Sequence, residues 1–220
     1  MCGRYYLKTP PAQLAARFQV TIPEEGFQEG DNISPTESVP VVLNESPDRL
    51  TIVRWGLIPS WAKELKIGSK MFNARAEGIS EKPSFRGPFK KRRCLVLADG
   101  FYEWRKNPDG TKTPFRFELK SGEPFAFAGL WDVSKAGGED WIKSCTIITT
   151  DANELVREAH DRMPVILPRD SEREWLDVEE SELAALSLLR PYDANDMRAT
   201  EIPADFFKRA KEPQLTFDSA

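Results

Sequence analysis

Histidine and cysteine are scarce in this chain of 220 residues. The single histidine is His160, and the three cysteines are Cys2, Cys94 and Cys145. One histidine excludes a multi-histidine metal site within one chain, and three widely spaced cysteines indicate neither a disulfide framework nor a cysteine-based zinc site. We therefore expect no bound metal, no cofactor and a reducing, cytoplasmic compartment.

Long apolar runs are absent too. None approaches the roughly 18–20 residues that a membrane-spanning helix needs, so we expect no membrane partner. Residues 1–6 lack the basic flank and apolar stretch of a secretory signal, which again favours the cytoplasm. Hydrophobic residues make up 40% of the chain and charged residues 30%, a composition that supports a packed core. The length predicts one domain over residues 1–220.

Charge is distributed unevenly around a net value of −4, which argues against a generally basic nucleic-acid-binding protein. Residues 1–105 have 16 basic and 12 acidic side chains, whereas the remainder has 15 and 23. Residues 81–93 alone have a net charge of +5, and residues 151–185 have −7. The basic segment is suited to contact a polyanion, and it is also compatible with an ordinary solvated surface.

Hydrophobic alternation predicts many short strands. They are expected at residues 4–7, 41–43, 50–55, 94–98, 101–104, 115–119, 125–130, 141–149 and 165–167. The strands 41–43 and 50–55 would pair as a hairpin, and residues 21–38 would form a loop. Helices interrupt the strands irregularly, so the pattern predicts an α+β domain with a curled, mostly antiparallel, barrel-like sheet and peripheral helices.

The predicted helices are recognised by their capping residues and periodicity. Thr9 would cap a helix over residues 10–18, and Asp151 with Glu154 would form a capping box for another. Residues 61–65 and 73–77 are predicted to form single helical turns. Residues 171–189 are predicted to be an amphipathic helix with Leu183 on its apolar side.

Cys2 would become the first residue once the initiator methionine is removed, as is usual before a small side chain. It would then carry an amine and a thiol on adjacent carbons, and the amine has an ordinary pKa of about 7.7–8.0. Such a pair condenses with an aldehyde and closes a five-membered thiazolidine, because intramolecular attack has a very high effective molarity. An incidental cysteine at a chain end is the alternative interpretation.

Three other segments offer acid–base or anion-binding groups. Glu103 lies between aromatic residues, where alternation would turn it inward and burial would raise its pKa. His160 follows a predicted helix and precedes a buried strand, a position suited to moving a proton. Asn73 could orient a nucleophile, and Arg75 could hold a phosphate. Each of these residues is also compatible with an ordinary structural or surface role.

Six motifs occur in a fixed order along the chain. They are MCGR at 1–4, FNARAE at 72–77, KPSF at 82–85, RCLV at 93–96, ADGFYEW at 98–104 and HDRMP at 160–164. Together they resemble the SOS response-associated peptidase (SRAP) family, whose members process abasic sites and crosslink to DNA. The resemblance covers residues 1–167, whereas residues 168–220 match loosely. It implies the SRAP fold.

The resemblance implies an enzyme that senses abasic sites in single-stranded DNA and shields the lesion from strand cleavage. Cys2 would form the thiazolidine with the ring-opened deoxyribose, and autoproteolysis and crosslink reversal are further implied activities. Asn73 would position Cys2, Glu103 would assist amine activation and sugar opening, and His160 would move a proton at the ring oxygen. The residues implied to hold the DNA are Arg4, Asn32, Trp61, Arg75, Phe85, Arg86, Thr149 and Arg162. Nothing in the sequence demands more than a monomer, and we expect association with the nucleoid when the protein is bound to DNA.

Two other functions remain open at this point. An N-terminal-nucleophile amidohydrolase would also use Cys2, with its thiolate attacking an amide and its amine acting as base. A non-catalytic single-stranded DNA-binding protein would use only the basic segment and the aromatic side chains.

Overall fold

A computed structural model describes residues 2–24, 26–27 and 29–209. Its strands are β1 (Tyr5–Leu7), β2 (Gly30–Ile33), β3 (Ser38–Leu43), β4 (Leu50–Trp55), β5 (Asn73–Arg75), β6 (Arg93–Ala98), β7 (Gly100–Lys106), β8 (Lys112–Leu119), β9 (Phe125–Ser134), β10 (Ile142–Asp151), β11 (Arg162–Pro164), β12 (Ile166–Leu167) and β13 (Met197–Glu201). Its α-helices are α1 (Pro11–Phe18), α2 (Arg86–Lys91), α3 (Glu154–Arg157), α4 (Glu172–Leu176), α5 (Glu182–Ser187) and α6 (Phe206–Arg209), and 3-10 turns occupy Leu65–Lys70, Arg169–Ser171 and Ala194–Asp196.

Five strands close into a barrel. The order is β10–β4–β3–β6–β9, and β9 pairs back onto β10 to complete the ring. All of these pairings are antiparallel except β10 with β4. The prediction of a curled, mostly antiparallel sheet in an α+β domain is therefore confirmed.

A second sheet packs against the barrel. Its strands follow the order β13–β8–β7–β1–β2. The Tyr5 ring of β1 lies 5.2 Å from the Trp55 ring and 5.9 Å from the Phe127 ring, both of which belong to barrel strands. These edge-to-face contacts are typical of aromatic packing in a core. The interface between barrel and second sheet is therefore the centre of the hydrophobic core.

Alternation along β7 sends its side chains to two separate clusters. Phe101 belongs to the main core, whereas Tyr102 packs on the opposite face with Tyr6 and Phe207. The strand begins at Gly100, where a Cβ atom would lie 2.5 Å from the Tyr6 ring and 2.6 Å from the Phe117 carbonyl oxygen. Only glycine permits this close approach, which lets β7 pair with β1 and β8.

Two predicted helical turns are wrong in position. The prediction of a helical turn over residues 73–77 is wrong, because Asn73–Arg75 forms the strand β5, which pairs in parallel with the distal part of β10. Residues 61–65 do not form the predicted turn, and the nearby 3-10 turn occupies Leu65–Lys70. The predicted loop over residues 21–38 likewise contains a strand, β2, which pairs with β1.

The predicted capping residues are also wrong. The Thr9 hydroxyl donates to the Asp99 carboxylate at 2.6 Å and does not cap α1, which starts with Pro10 at its N-cap. Asp151 lies in β10, and the residue that caps α3 is Asn153, whose side-chain oxygen accepts from the Val156 N–H at 2.9 Å. The side chains of Thr9 and Asp151 instead contact residues more distant in the sequence, Asp99 and Arg162.

The predicted helix over residues 171–189 is two short helices, α4 and α5. A break after α4 lets Trp175 reach the core, where its indole N–H donates to the Cys94 carbonyl at 3.0 Å. Leu183 is 78% exposed, so the prediction that it faces the core is wrong.

The basic segment 81–93 is not a uniform charged surface. Arg93 is buried, and its guanidinium donates to the carbonyls of Phe89 at 2.8 Å and Asp177 at 3.1 Å. Its charge also lies over the Trp175 ring at 5.3 Å. Arg92 pairs with Asp132 at 3.0 Å. Arg93 therefore acts as an internal support for α2 and α4.

Replacing Arg93 with alanine should reduce the free energy of unfolding by about 2–4 kcal/mol, since it leaves a cavity and two unsatisfied carbonyls. Chemical denaturation measures this loss. The exposed neighbour Lys91 provides the control, since Lys91→Ala should change stability by no more than about 0.5 kcal/mol. Unchanged stability of the Arg93 variant would contradict an internal role.

Candidate active site

Strand pairing brings distant segments of the chain together at one place. Tyr5 pairs with Phe101, which lays the residues before β1 alongside β7. On the barrel, Thr149 of β10 pairs with Arg75 of β5 on one edge and with Pro164 of β11 on the other. The segments around residues 2, 73, 103 and 160 are thereby brought close to one another.

Cys2 is completely buried and held from the barrel side. The Asn73 side-chain amide donates to the Cys2 backbone carbonyl at 2.8 Å. The Asn73 side-chain oxygen is buried and accepts no hydrogen bond from another residue that the structure describes. Burial, followed by the negative charge of Glu103, raises the pKa of the Cys2 thiol well above its ordinary value. The thiol is therefore neutral in this environment.

Glu103 is 3% exposed and lies on the Phe101 side of β7. Burial raises the pKa of its carboxyl, and the negative charge of Asp161 acts in the same direction. Alternation along the aromatic strand had predicted this inward orientation. A carboxyl group with a raised pKa can take up and release a proton nearer to neutrality than an exposed glutamate can.

His160 follows α3 and has a side chain that is 31% exposed. Its Nδ1 accepts a hydrogen bond from the Arg162 backbone N–H at 3.0 Å, and the same nitrogen lies 2.7 Å from an Asp161 carboxylate oxygen. One nitrogen cannot accept the first bond and donate the second. Burial lowers the pKa of His160, which favours the neutral ring. The Arg162 N–H is held in place by strand pairing, whereas the Asp161 side chain is 86% exposed, so we assign the hydrogen bond at Nδ1 to Arg162. The proton of the neutral imidazole then resides on Nε2.

Arg162 is tied to carboxylates and to the backbone. Its guanidinium makes a bidentate pair with Glu77 at 2.7 and 2.8 Å and contacts Asp151 at 2.9 Å. It also donates to the Thr149 carbonyl at 2.7 Å. The Arg162 side chain is only 11% exposed, and the Thr149 hydroxyl is buried against the Ala74 carbonyl at 3.5 Å. Arg162 therefore joins the segment that follows β5 to β10 and β11.

Arg4 lies beside the second sheet. Its guanidinium donates to the Asn32 side-chain oxygen and to the Ser34 hydroxyl, the latter at 2.9 Å. The charge also lies 5.5 Å from the centre of the Phe207 ring. Asn32 and Phe207 together fix the direction of Arg4, two residues from Cys2.

The remaining sequence-predicted residues lie in different settings. Arg75 and Arg86 are exposed, at the end of β5 and the start of α2. Trp61 is 59% exposed and borders an open depression of about 620 Å³ that also contains Lys63, Lys66 and Lys70. Phe85 is 9% exposed and packs in the main core, so its ring faces are not open to solvent.

Two carboxylates at the site were not identified from the sequence. Glu77 pairs with Arg162 across 85 positions of the chain, and Asp161 contacts His160. A signal for Glu77 existed, since it ends the motif FNARAE, but an acidic residue after a short strand is ordinarily solvated. Its partner could be found only from the tertiary structure.

The described residues contain no group of three or more His, Cys, Asp or Glu side chains arranged to hold a metal ion. No helix among them is long and apolar enough to cross a membrane. The chemistry available at the site is that of Cys2, an amide, a buried carboxyl and an imidazole.

Comparison with known proteins gives consistent matches. The family model of the SOS response associated peptidase (SRAP) matches residues 1–208. The chain is 46% identical over 206 residues to abasic site processing protein YoqW of Bacillus subtilis, covering 92% of each protein. It is 45% identical over 206 residues to abasic site processing protein YoaM of the same organism, covering 92% of this chain and 91% of that protein. A crystal structure of a protein from Bacteroides thetaiotaomicron matches with a TM-score of 0.89 and 30% identity over the whole of both chains.

Replacing Glu103 with glutamine should raise the melting temperature at neutral pH. Because the folded-state pKa of Glu103 is raised above its ordinary 4.5, the native protein binds this proton more tightly than the unfolded chain does. The native state is stabilised by binding this proton at acidic pH, and the stabilisation is lost as the pH rises through the pKa of Glu103 in the folded protein. A gain of about 1 kcal/mol corresponds to about 2–4 °C in a chain of this size.

Thermal melts of both proteins across the pH range measure this effect. The difference between them should shrink as the pH falls toward 4.5. Glu81→Gln, at an exposed position, should leave the melting temperature unchanged. A Glu103 variant that is less stable than the wild type at neutral pH would show that the buried carboxylate is not a destabilising charge.

Proposed function

Because the chain belongs to the SOS response-associated peptidase family, we propose that it processes abasic sites in DNA by capturing them covalently at Cys2. The substrate is the ring-opened deoxyribose of an abasic site in single-stranded DNA, and the product is a thiazolidine crosslink. We further propose that the protein works as a monomer in the cytoplasm and is associated with the nucleoid when it is bound to DNA.

The observation that carries this proposal is the convergence of four sequence-distant side chains. Asn73 holds the Cys2 carbonyl, and the charge of Glu103 acts on the Cys2 thiol. Asp161, beside His160, in turn influences Glu103. An amide and a carboxyl thus act on one cysteine, with an imidazole beyond them, and we assign each a role in condensing an aminothiol with an aldehyde.

The proposed reaction releases one water. After removal of Met1, the neutral Cys2 amine adds to C1′ of the aldehyde, and loss of water gives an imine. The Cys2 thiol then adds across the C=N bond, so that a C–S bond forms and the thiol proton passes to nitrogen. Addition of sulfur removes the imine that would otherwise promote β-elimination and strand cleavage.

Glu103 is the group suited to move protons in these steps. With its pKa raised by burial, it can accept a proton from the amine and return one to the departing water. His160 carries its proton on Nε2 and can donate it to the ring oxygen of the closed sugar as the ring opens. The buried Asn73 oxygen accepts no hydrogen bond from a described residue and is available to accept one from the Cys2 amine. Reversal of the crosslink would use the same groups in the opposite order.

Several residues outside the catalytic cluster are suited to hold DNA. Arg75 and Arg86 are exposed cations, and Arg4 lies two residues from the reacting cysteine. Trp61 presents an exposed ring beside lysines, a combination that binds single strands through stacking and charge. Arg162 and Phe85 act from within the protein, since carboxylates neutralise Arg162 and the core contains Phe85.

The protein should form a denaturant-resistant adduct with an abasic single-stranded oligonucleotide, and Cys2→Ala should abolish it. A denaturing gel with abasic and intact oligonucleotides in parallel detects the adduct, and mass spectrometry confirms removal of Met1. Cys145→Ala, which removes another fully buried thiol, is the matched control and should still form the adduct.

Persistence of the adduct in the Cys2 variant would defeat the assignment. Equal binding of intact and abasic strands without an adduct would favour a non-catalytic single-strand-binding protein. Release of ammonia from glutamine by the wild type would favour an amidohydrolase, although the raised pKa of the Cys2 thiol opposes the thiolate chemistry of that class.

Replacing Arg75 with alanine should weaken non-covalent binding of an intact single strand and reduce its salt dependence. Loss of one phosphate contact lowers the slope of log K against log salt by about 0.7 for single strands. Fluorescence anisotropy at several salt concentrations measures both effects. Arg169→Ala removes an exposed arginine from the acidic segment and should change neither. An unchanged slope for Arg75→Ala would remove this residue from the DNA interface.

A further inference from the structure

Glu77 connects two segments that the proposed reaction uses. It follows β5, which begins with Asn73, and it holds Arg162, which lies two residues after His160. The Thr149 carbonyl between them accepts from the Ala76 N–H at 2.9 Å and from the Arg162 guanidinium at 2.7 Å. The Asn73 segment and the His160 segment are therefore joined through one carboxylate–guanidinium pair.

The backbone of Arg162 acts directly on His160. Its N–H donates to Nδ1 of the imidazole at 3.0 Å, which places the proton of the neutral ring on Nε2. This bond requires the residue-162 backbone to keep its position relative to the ring. The bidentate Glu77 pair and the bond to Thr149 hold the Arg162 side chain, and β-pairing with Asp151 holds its backbone.

We propose that Glu77 is a positioning residue, which through Arg162 keeps His160 oriented as the Nε2–H tautomer. The effect of this role on crosslinking rests on the proposed function, because the Nε2 proton is the one that His160 would donate to the sugar. Glu77 would act through Arg162, which it holds, and not on the reacting atoms.

The alternative role of Glu77, a contribution to overall stability, fits the structure less well. Its side chain is 56% exposed, and ion pairs at exposed carboxylates contribute little to folding. The geometry is nevertheless specific, because two parallel N–H···O bonds fix the plane of a guanidinium that is only 11% exposed. The pair is therefore better suited to fixing the orientation of the Arg162 side chain than to stabilising the fold.

Other charged groups that act on His160 are Asp161 at Nδ1, the Arg162 guanidinium and Lys106 of β7. Asp161 competes for the same nitrogen and would accept a hydrogen bond from it if the Nδ1–H form were populated. Loss of the Arg162 bond should therefore shift the tautomer in a definite direction, from Nε2–H toward Nδ1–H.

The test uses the fact that His160 is the only histidine in the sequence. The NMR spectrum of the full protein labelled with 15N-histidine contains one imidazole, and its correlations distinguish the two neutral tautomers. The wild type should show the Nε2–H form. Glu77→Gln should shift about nine tenths of the ring to the Nδ1–H form, and crosslinking at neutral pH should slow about tenfold, because only the remaining Nε2–H fraction can donate the proton.

Binding of an intact oligonucleotide should change less than about threefold in this variant, because the change acts on positioning. Glu45→Gln is the matched control: it also removes one carboxylate from an exposed ion pair, with Lys143 at 2.7 Å on the proximal part of β10. It should leave the tautomer and the rate unchanged. Glu77→Asp keeps the charge on a shorter side chain and should be intermediate; it replaces the glutamine variant if melting shows that variant to be unfolded.

An unchanged tautomer in the Glu77 variant overturns the proposal, whatever the crosslinking rate. A mixed tautomer with the wild-type rate overturns it as well. Failure of the wild type to crosslink would instead refute the proposed function, and the tautomer measurement would still decide whether Glu77 positions His160.

Discussion

The pairing of the distal part of β10 with two short strands is the constraint on which the candidate site depends. Thr149 lies between Arg75 of β5 and Pro164 of β11, and its carbonyl accepts two hydrogen bonds at once. Neither β5 nor β11 exceeds three residues, so neither would be stable without this central strand. The barrel thus acts as a rigid support for the Asn73 segment, whose amide holds the Cys2 carbonyl, and for the segment that contains His160.

Burial determines the protonation state of each titratable group at the candidate site. It favours the neutral form of the Cys2 thiol, the Glu103 carboxyl and the His160 imidazole alike. Charge is instead concentrated on Arg162 and its carboxylates at the rim, where solvent and ion pairing stabilise it. The site therefore combines a weakly charged interior, suited to proton transfer, with a charged frame that fixes direction.

The sequence was most informative where local pattern and tertiary environment agree. The hydrophobic pattern predicted the barrel strands β3, β4, β6, β9 and β10 and the strands β7 and β8 of the second sheet. The aromatic neighbours of Glu103 predicted its burial. The motifs predicted the family, which the comparisons confirm. The sequence-based prediction failed where residues distant in the chain determine the local structure. Asn73–Arg75 forms a strand only because it pairs with β10. Thr9 binds Asp99 instead of capping a helix, and Asp151 is part of a paired strand. The roles of the individual site residues stay predictions.

The complete burial of Cys2 has a consequence for survival of the protein under chemical stress. Peroxides and alkylating agents react with exposed thiolates, and a neutral, enclosed thiol is largely inert to them. A protein whose working sulfur is hidden in this way would retain it during the same oxidative episodes that strip bases from DNA. The Cys2 thiol would then react with the lesion that enters the site rather than with the damaging agents in solution.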